Sequence, residues 1–281
     1  MQPRSLTELA SPACLIEDSI LRRNAERMWK KATKGTVLRP HVKTHKCPEI
    51  ARLQFSRGIG PICVSTLREA ESFFSHGFTD ITYAVPLSVN LISKAIALNE
   101  KVPNLHLLID HLDTLRHIVS YPLKRPLSLF IKIDCGYHRA GIEPTDPMLL
   151  SVAQFIDKHP MLSLQGLLTH AGHSYDCRNQ RDILVVADEE EGALHLAKSN
   201  LLSVGIRVPT LSLGSTPTCS VKETWNNIDE IRPGNYIFYD LFQASIGSCN
   251  IEDIAISVLC EVIGVYPERS SLLINAGALA L

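Results

Sequence analysis

Short apolar segments alternate with amphipathic helical segments over most of this 281-residue sequence, and that alternation limits the folds open to it. Counting from residue 36, eight of the apolar segments are predicted strands, and predicted helices separate most of them. Eight strand–helix units within roughly 215 residues predict a (β/α)8 barrel, which is an α/β fold. A doubly wound sheet is the alternative, but no G-x-G-x-x-G sequence follows a predicted strand.

The predicted barrel strands are short apolar or β-branched runs bounded by turn and helix-cap residues. They are residues 36–43, 62–65, 81–85, 105–109, 127–134, 164–170, 210–213 and an eighth bracketed by Ile231 and residues 236–239. A further strand is predicted at residues 12–17. After Ile251 no helix is predicted, and residues 254–265 and 271–275 are predicted strands. We therefore expect the barrel at residues 18–245 and an incomplete all-β domain formed by residues 1–17 and 246–281.

The composition gives no indication of a nucleic-acid-binding, membrane-spanning or secreted protein. Hydrophobic residues make up 45% of the sequence, which is enough for a substantial core. The formal net charge of −1 gives no electrostatic case for nucleic acid, and no apolar run approaches the ~18 residues of a membrane span. The first residues do not have the pattern of a signal peptide. The eight cysteines form no C-x-x-C pair, which is typical of reduced thiols, so we expect a cytoplasmic protein.

The stretch RPHVKTHK at residues 39–46 contains the first candidate catalytic residue. Its proline and β-branched residues predict a strand, and alternation would then point Arg39, His41 and Lys43 to one face. A lysine beside other positive groups loses basicity and becomes an amine nucleophile, suited to Schiff-base formation with pyridoxal phosphate (PLP). Two alternatives remain: a helical metal pair of His41 and His45, which the proline disfavours, and a solvated basic or phosphate-binding face.

Polar residues follow several of the predicted strands. Residues 134–139, 170–175, 214–218 and 232–236 come after the fifth, sixth, seventh and eighth strands. Barrel enzymes place their chemistry at these strand ends, and they commonly bind phosphate with the loops after strands seven and eight. Backbone N–H groups and hydroxyls of the sequences GST and PGN suit an anion. Together with Lys43, these loops predict a PLP site at the C-terminal mouth of the barrel.

Each of these signals also has an ordinary structural explanation. The sequence Gly-Ser-Thr-Pro is common in turns, a surface role suits Arg139, and His170 ends an apolar strand, where histidines often serve as hydrogen-bonded core residues. The PLP prediction depends on their combination.

The combined motifs resemble a known family. RPHVKTHK resembles the PLP-lysine motif of D-threonine aldolases and D-serine dehydratases, and the order of Lys43, KIDCGYHR (132–139), Thr169-His170, GST (214–216) and RPGN (232–235) is similar to alanine racemases. LGSTPTCS (213–220) and RPGNYIFYD (232–240) are most similar to eukaryotic D-serine dehydratases. The resemblance covers the whole chain and implies the fold-type III PLP architecture.

The resemblance assigns roles to individual residues. Lys43 is the residue that would hold PLP covalently and carry the α-proton of the substrate. Arg139 would lie near the ring hydroxyl, and Arg232 would occupy the position at which alanine racemases have an arginine facing the pyridine nitrogen. The remaining cofactor-lining residues are His170, Tyr175, Thr216, Gly234 and Asn235, of which the last three would face the phosphate.

The activity implied is D-serine dehydration to pyruvate and ammonia, with a small-molecule D-amino acid as substrate and a homodimer as the assembly. D-threonine aldolase-type lyase activity and a non-catalytic PLP-binding barrel are the alternatives. The family resemblance also implies zinc, bound by a His-x-Cys pair in a later stretch. The His-x-Cys sequence at residues 45–47 lies next to the PLP-lysine motif, and no such pair occurs later in these residues, so we expect a shortened family member without a zinc site and with impaired activity.

Overall fold

The computed structural model describes residues 5–32, 35–56 and 58–277, and a parallel barrel accounts for most of them. The strands are β1 (Ala13–Ile16), β2 (Val37–Leu38), β3 (Ile62–Val64), β4 (Asp80–Pro86), β5 (Asn104–Ile109), β6 (Leu127–Lys132), β7 (Leu162–Leu168), β8 (Thr210–Leu213), β9 (Glu230–Ile231), β10 (Ile256–Leu259), β11 (Val262–Tyr266) and β12 (Ser271–Ile274). The helices are α1 (Asp18–Ala32), α2 (Pro48–Leu53), α3 (Leu67–Ser75), α4 (Ile92–Asn99), α5 (Leu112–Val119), α6 (Pro147–Lys158), α7 (Gln180–Leu202), α8 (Thr216–Val221) and α9 (Leu241–Ser245).

Eight parallel strands form the barrel in the order β2-β9-β8-β7-β6-β5-β4-β3. The first and last strands of this order meet through a parallel bridge between His41 and Cys63. There the Cys63 N–H donates to the Pro40 carbonyl at 2.9 Å, and the Val42 N–H donates to the Cys63 carbonyl at 3.0 Å. Because a doubly wound sheet would leave both of its edges open, this closure confirms the predicted barrel and rules out the alternative.

The sequences of the surrounding helices explain where α3 and α6 begin and which face of α6 is buried. Thr66 accepts a hydrogen bond from the Glu69 N–H at 3.0 Å and begins α3, while Asp146 accepts from the Met148 N–H at 2.8 Å and begins α6. The face of α6 that contacts the barrel carries its apolar residues, of which Leu149, Val152, Ala153 and Ile156 are buried. Helix α6 thus covers the outside of the sheet with one apolar stripe.

Two strand predictions were wrong in extent. The predicted strand at residues 36–43 is only Val37–Leu38, because the chain leaves the sheet after the bridge at His41 and turns, with the Lys46 N–H donating to the Val42 carbonyl at 2.8 Å. The predicted strand around Ile231 ends at that residue, and residues 235–237 form a 3-10 turn. Lys43 therefore lies on a turn, and the face alternation predicted for it does not apply.

Small antiparallel pairs lie outside the barrel. Strand β1 pairs with β10, and β11 pairs with β12. The predicted strand at residues 254–265 is therefore two strands. Several apolar side chains on β11 and β12 are exposed, among them Val265 and Leu272. Residues 1–4 and 278–281 of the expected β-domain lie outside the described residues, and its boundary with the barrel remains a prediction. Among the described helices, none combines the length and apolar character needed to cross a membrane.

Candidate active site

A cavity of about 410 Å³ opens at the C-terminal ends of the barrel strands. This volume lies within the range of small-molecule sites in proteins. The cavity brings together all eight residues that the sequence selected, although they are spread over nearly two hundred positions: Lys43, Arg139, His170, Tyr175, Thr216, Arg232, Gly234 and Asn235. Two further residues of the lining, His41 and Lys132, were not among the predicted site residues.

Lys43 has the properties of an amine nucleophile, although its positively charged neighbour is not the one predicted. Partial desolvation at the cavity mouth lowers the pKa of Lys43, and the nearby positive charge of Arg139 lowers it further. The predicted neighbour Arg39 lies instead inside the barrel. There it contacts Glu230 at 2.6 Å and Asp80, and both partners neutralise its charge.

The loops after β8 and β9 meet at the hydroxyl of Thr216. Its Oγ1 accepts hydrogen bonds from the Gly234 N–H at 3.3 Å and from the Asn235 N–H at 2.8 Å. A Cβ added to Gly234 would lie 3.1 Å from the His41 carbonyl and 3.3 Å from Thr44 Oγ1, so this loop closely approaches the turn that carries Lys43. The two loops are therefore joined at one point of the cavity by the Thr216 hydroxyl, which accepts from both backbone N–H groups.

His170 lies on the loop that follows β7, and its imidazole ring is uncharged. Its Nδ1 lies 3.1 Å from the Gly214 carbonyl and donates to it, which leaves Nε2 as an acceptor. Burial, followed by the charge of Lys132, holds the pKa of His170 well below its usual value. Tyr175, five residues further on, also lines the cavity, and burial raises the pKa of its hydroxyl. Both side chains are therefore uncharged at neutral pH.

Arg232 is buried and fixed by groups inside the barrel. It donates to Ser212 Oγ at 2.6 Å and to the Thr169 carbonyl. Ser212 in turn donates to Glu230 at 2.8 Å, and Glu230 pairs with Arg39. A chain of polar contacts therefore links the cavity to the interior of the barrel, where apolar side chains normally predominate.

The cavity lining is strongly basic. It contains the four basic residues Lys43, Lys132, Arg139 and Arg232, and no Asp or Glu. Burial and the neighbouring Arg232 lower the pKa of Lys132 to about 8. Burial and the charge of Lys43 keep His41 neutral, with a pKa well below its usual value. The lining therefore favours an anionic ligand, and its reactive amine, N–H donors and basic groups together fit PLP.

Glu190, a buried residue beside this cavity, was not identified from the sequence. Glu190 lies on α7 and contacts the backbone of two cavity loops. Its sequence neighbours Glu189 and Glu191 make it look like part of a solvated acidic run. The signal that could have identified it is the helical period, because Glu190 continues the buried stripe that includes Ile183, Ala187, Leu194 and Ala197.

The sequence-family model of the alanine racemase N-terminal domain matches residues 16–241, which is most of the chain. The chain belongs to this family. Its members include fold-type III PLP enzymes, and the barrel described above is the fold expected for them.

Curated relatives match nearly the full length of the chain. It is 39% identical to D-serine dehydratase from Dictyostelium discoideum over 98% of this chain and 74% of that protein. It is 35% identical to D-threo-3-hydroxyaspartate dehydratase from Delftia sp. (strain HT23) over 100% of this chain and 74% of that protein. The solved structure of the Delftia enzyme matches with a TM-score of 0.93, covering 98% of this chain and 73% of that one. D-threonine aldolase from Arthrobacter sp. is more distant, at 24% identity over 84% of the chain.

No group of three or more His, Cys, Asp and Glu side chains in the described parts of the chain is arranged to hold a metal ion. A mutant of the Delftia relative has been solved in a metal-free form. The described residues of this chain therefore include no zinc site built from three or more such side chains.

Proposed function

We propose that this chain binds PLP and converts D-serine to pyruvate and ammonia, and the impaired rate expected from the sequence stays a prediction. The observation that carries the proposal is the convergence of Lys43 and the loops after β8 and β9 on one basic cavity. The 39% identity to a D-serine dehydratase over 98% of the chain supports the choice of reaction. Eight residues predicted from the sequence motifs line that cavity, which supports the choice of cofactor.

Bound PLP supplies an electron sink that makes the α-proton of the amino acid acidic. Lys43 is the residue that would hold PLP covalently. Once the substrate amine replaces it, the neutral amine of Lys43 can take the α-proton. The lowered pKa of Lys43 increases the fraction of this amine that is neutral near pH 7, which favours both tasks.

The site residues other than Lys43 would bind and orient the cofactor. Thr216, Gly234 and Asn235 would face the phosphate, as the family resemblance implies, and hydrogen bonds between them hold their two loops together. Arg139 would lie near the ring hydroxyl, where its charge stabilises the phenolate form. Arg232, fixed by Ser212, would face the pyridine nitrogen, and a cation there keeps that nitrogen unprotonated. The β-hydroxyl would leave with a proton as water, and a second water molecule would replace the amino group, which gives pyruvate and ammonia.

The first test is a titration of the purified protein with PLP, followed by D-serine, monitored by absorbance. We expect a PLP absorption band that D-serine changes, and pyruvate release that the Lys43→Ala variant lacks. Pyruvate is measured with and without added zinc. Absence of PLP binding in the wild-type protein contradicts the proposal. PLP binding without turnover indicates a non-catalytic barrel, and glycine with acetaldehyde from D-threonine indicates an aldolase.

A second substrate is favoured by the charge of the cavity. Four basic side chains and no carboxylate would also accommodate a dicarboxylic amino acid, and the relative that is 35% identical over the whole chain is named for D-threo-3-hydroxyaspartate. The same assay with this compound would release oxaloacetate and ammonia. Comparison of kcat/KM for the two compounds decides between them.

A further inference from the structure

Glu190 is a fully buried carboxylate in the middle of α7, with 0% of its surface exposed. It forms no ion pair with any residue that the structure describes. Burial raises the pKa of Glu190, whereas hydrogen bonds and the charges of Arg232 and Lys132 oppose that rise. A buried carboxylate is unfavourable unless it makes good hydrogen bonds, so its contacts indicate why it is tolerated.

The carboxylate of Glu190 joins two loops of the cavity. Its Oε1 accepts from the Ala171 N–H at 2.9 Å and from the Gly214 N–H at 3.1 Å. Its Oε2 lies 3.3 Å from the hydroxyl of Thr218, which donates to it. Ala171 directly follows the cavity residue His170, and Gly214 directly precedes the loop of Ser215 and Thr216. One side chain therefore fixes the starting points of both loops.

The backbone conformation at Gly214 is one that only glycine readily adopts. Its φ angle is +121°, and an added Cβ would lie 2.6 Å from Cys219 Sγ and 3.0 Å from the Arg232 N atom. The loop is thus closely packed at the residue whose N–H donates to Glu190. On the other side of the loop, the Ser215 N–H donates to Thr218 Oγ1 at 3.0 Å, and this is the hydroxyl that donates to Glu190.

We propose that Glu190 is a positioning residue for the phosphate side of the cofactor site. It holds the backbone of Gly214 so that Ser215 and Thr216 face the cavity, and it holds Ala171 so that the two loops keep their separation. This inference rests on the proposed PLP binding and extends it to a residue that does not line the cavity. The chemistry that Glu190 supports is recognition of a phosphate dianion by the loop of Ser215 and Thr216.

If Glu190 acts through its hydrogen bonds, substitutions that keep an acceptor should differ in effect from substitutions that remove it. Glu190→Gln keeps an Oε1 that accepts from both amides, and its NH2 group can donate to the Thr218 hydroxyl. Glu190→Leu has a similar volume but leaves two buried N–H groups without an acceptor. The matched control is Glu189→Leu, which removes an exposed carboxylate one position earlier on the same helix.

The experiment measures the affinity of the full chain for PLP and for pyridoxal, which lacks the phosphate. We expect Glu190→Leu to weaken PLP binding by about tenfold or more, while pyridoxal binding changes by less than about threefold. Glu190→Gln and Glu189→Leu should stay within about threefold of the wild type for both compounds. Unchanged PLP affinity in Glu190→Leu overturns the inference. Equal losses for PLP and pyridoxal, or an equal loss in Glu190→Gln, also overturn it.

Two further measurements keep the inference testable if Glu190→Leu does not fold. Glu190→Asp keeps the charge and withdraws the carboxylate by one methylene, so the same selective loss of PLP affinity is expected. Hydrogen exchange of the Ala171 and Gly214 amides in the PLP-free wild type should be slow, and fast exchange would contradict the contacts. Failure of the wild-type protein to bind PLP overturns the proposed function, whereas binding that is insensitive to residue 190 overturns only this inference.

Discussion

The ion pair of Arg39 and Glu230 inside the barrel allows a worked prediction of stability. Both side chains are almost fully buried, with 5% and 8% of their surfaces exposed. Arg39 Nε donates to Glu230 Oε1 at 2.8 Å, Nη2 lies 2.6 Å from the same oxygen, and Nη1 donates to Asp80. Arg39→Met removes these donors and leaves the Glu230 carboxylate with the Ser212 hydroxyl as its remaining partner among the contacts described above.

Removal of one partner of a buried ion pair typically costs about 3–5 kcal/mol, because the other charge stays buried without compensation. A protein of this kind has about 5–15 kcal/mol of unfolding free energy in total, so Arg39→Met should lose a large part of it. The Arg39→Met, Glu230→Met double variant should be more stable than Arg39→Met alone, because the buried Glu230 carboxylate is then absent and the other partner, Asp80, is 36% exposed to water.

The assay is urea denaturation followed by circular dichroism, with Arg22→Met as the control. Arg22 forms an ion pair with Asp18 on the surface of α1, where the side chains are 59% and 65% exposed, so the same substitution should change the unfolding free energy by less than about 1 kcal/mol. A loss below about 1 kcal/mol in Arg39→Met, or a double variant less stable than Arg39→Met, would refute the reasoning.

Three further predictions concern the cavity. Borohydride reduction in the presence of PLP, followed by peptide mapping, should find the label on Lys43, and a label on Lys46 would show that the wrong lysine was assigned. Gly234→Asp should weaken PLP binding by at least about tenfold because it places a carboxylate near the phosphate, with Gly234→Ala as the steric control; an unchanged affinity would place the phosphate elsewhere. The positive charge of Arg139 lowers the pKa of Lys43, so Arg139→Leu should raise that pKa and shift the pH dependence of the reaction of Lys43 with PLP to higher pH; a shift to lower pH would contradict this electrostatic account.

The residues of the cavity could be identified from sequence because each follows a predicted strand. In a parallel barrel all carboxyl ends of the strands lie on one side, so knowing the strand order is enough to bring Lys43, His170 and Thr216 together without knowing any distance. The combination of motifs then selected the cofactor. The period of the apolar residues and the turn residues located these loops, and the family resemblance of the motifs assigned roles to individual residues such as Arg139 and Tyr175.

The direction of single side chains was less predictable. Alternation along a strand grouped Arg39 with Lys43, but the chain leaves the sheet at the His41–Cys63 bridge, and its turn separates the two. That turn exists because β2 must close the barrel against β3, which is a contact between distant parts of the chain. Arg139, far along the sequence, supplies the neighbouring charge that local reasoning had assigned to Arg39.

The sequence by itself determined the barrel and the set of residues at its mouth, since hydrophobic period and strand order are local properties that survive in the folded protein. Only the tertiary structure decided that Arg39 pairs inside the barrel and that Glu190 holds the loops of Ala171 and Gly214. The physical reason is that a buried charge is stable only beside its partners. Those partners are brought to Arg39 and Glu190 by barrel closure and helix packing, and neither is visible in the residues next to them in the chain.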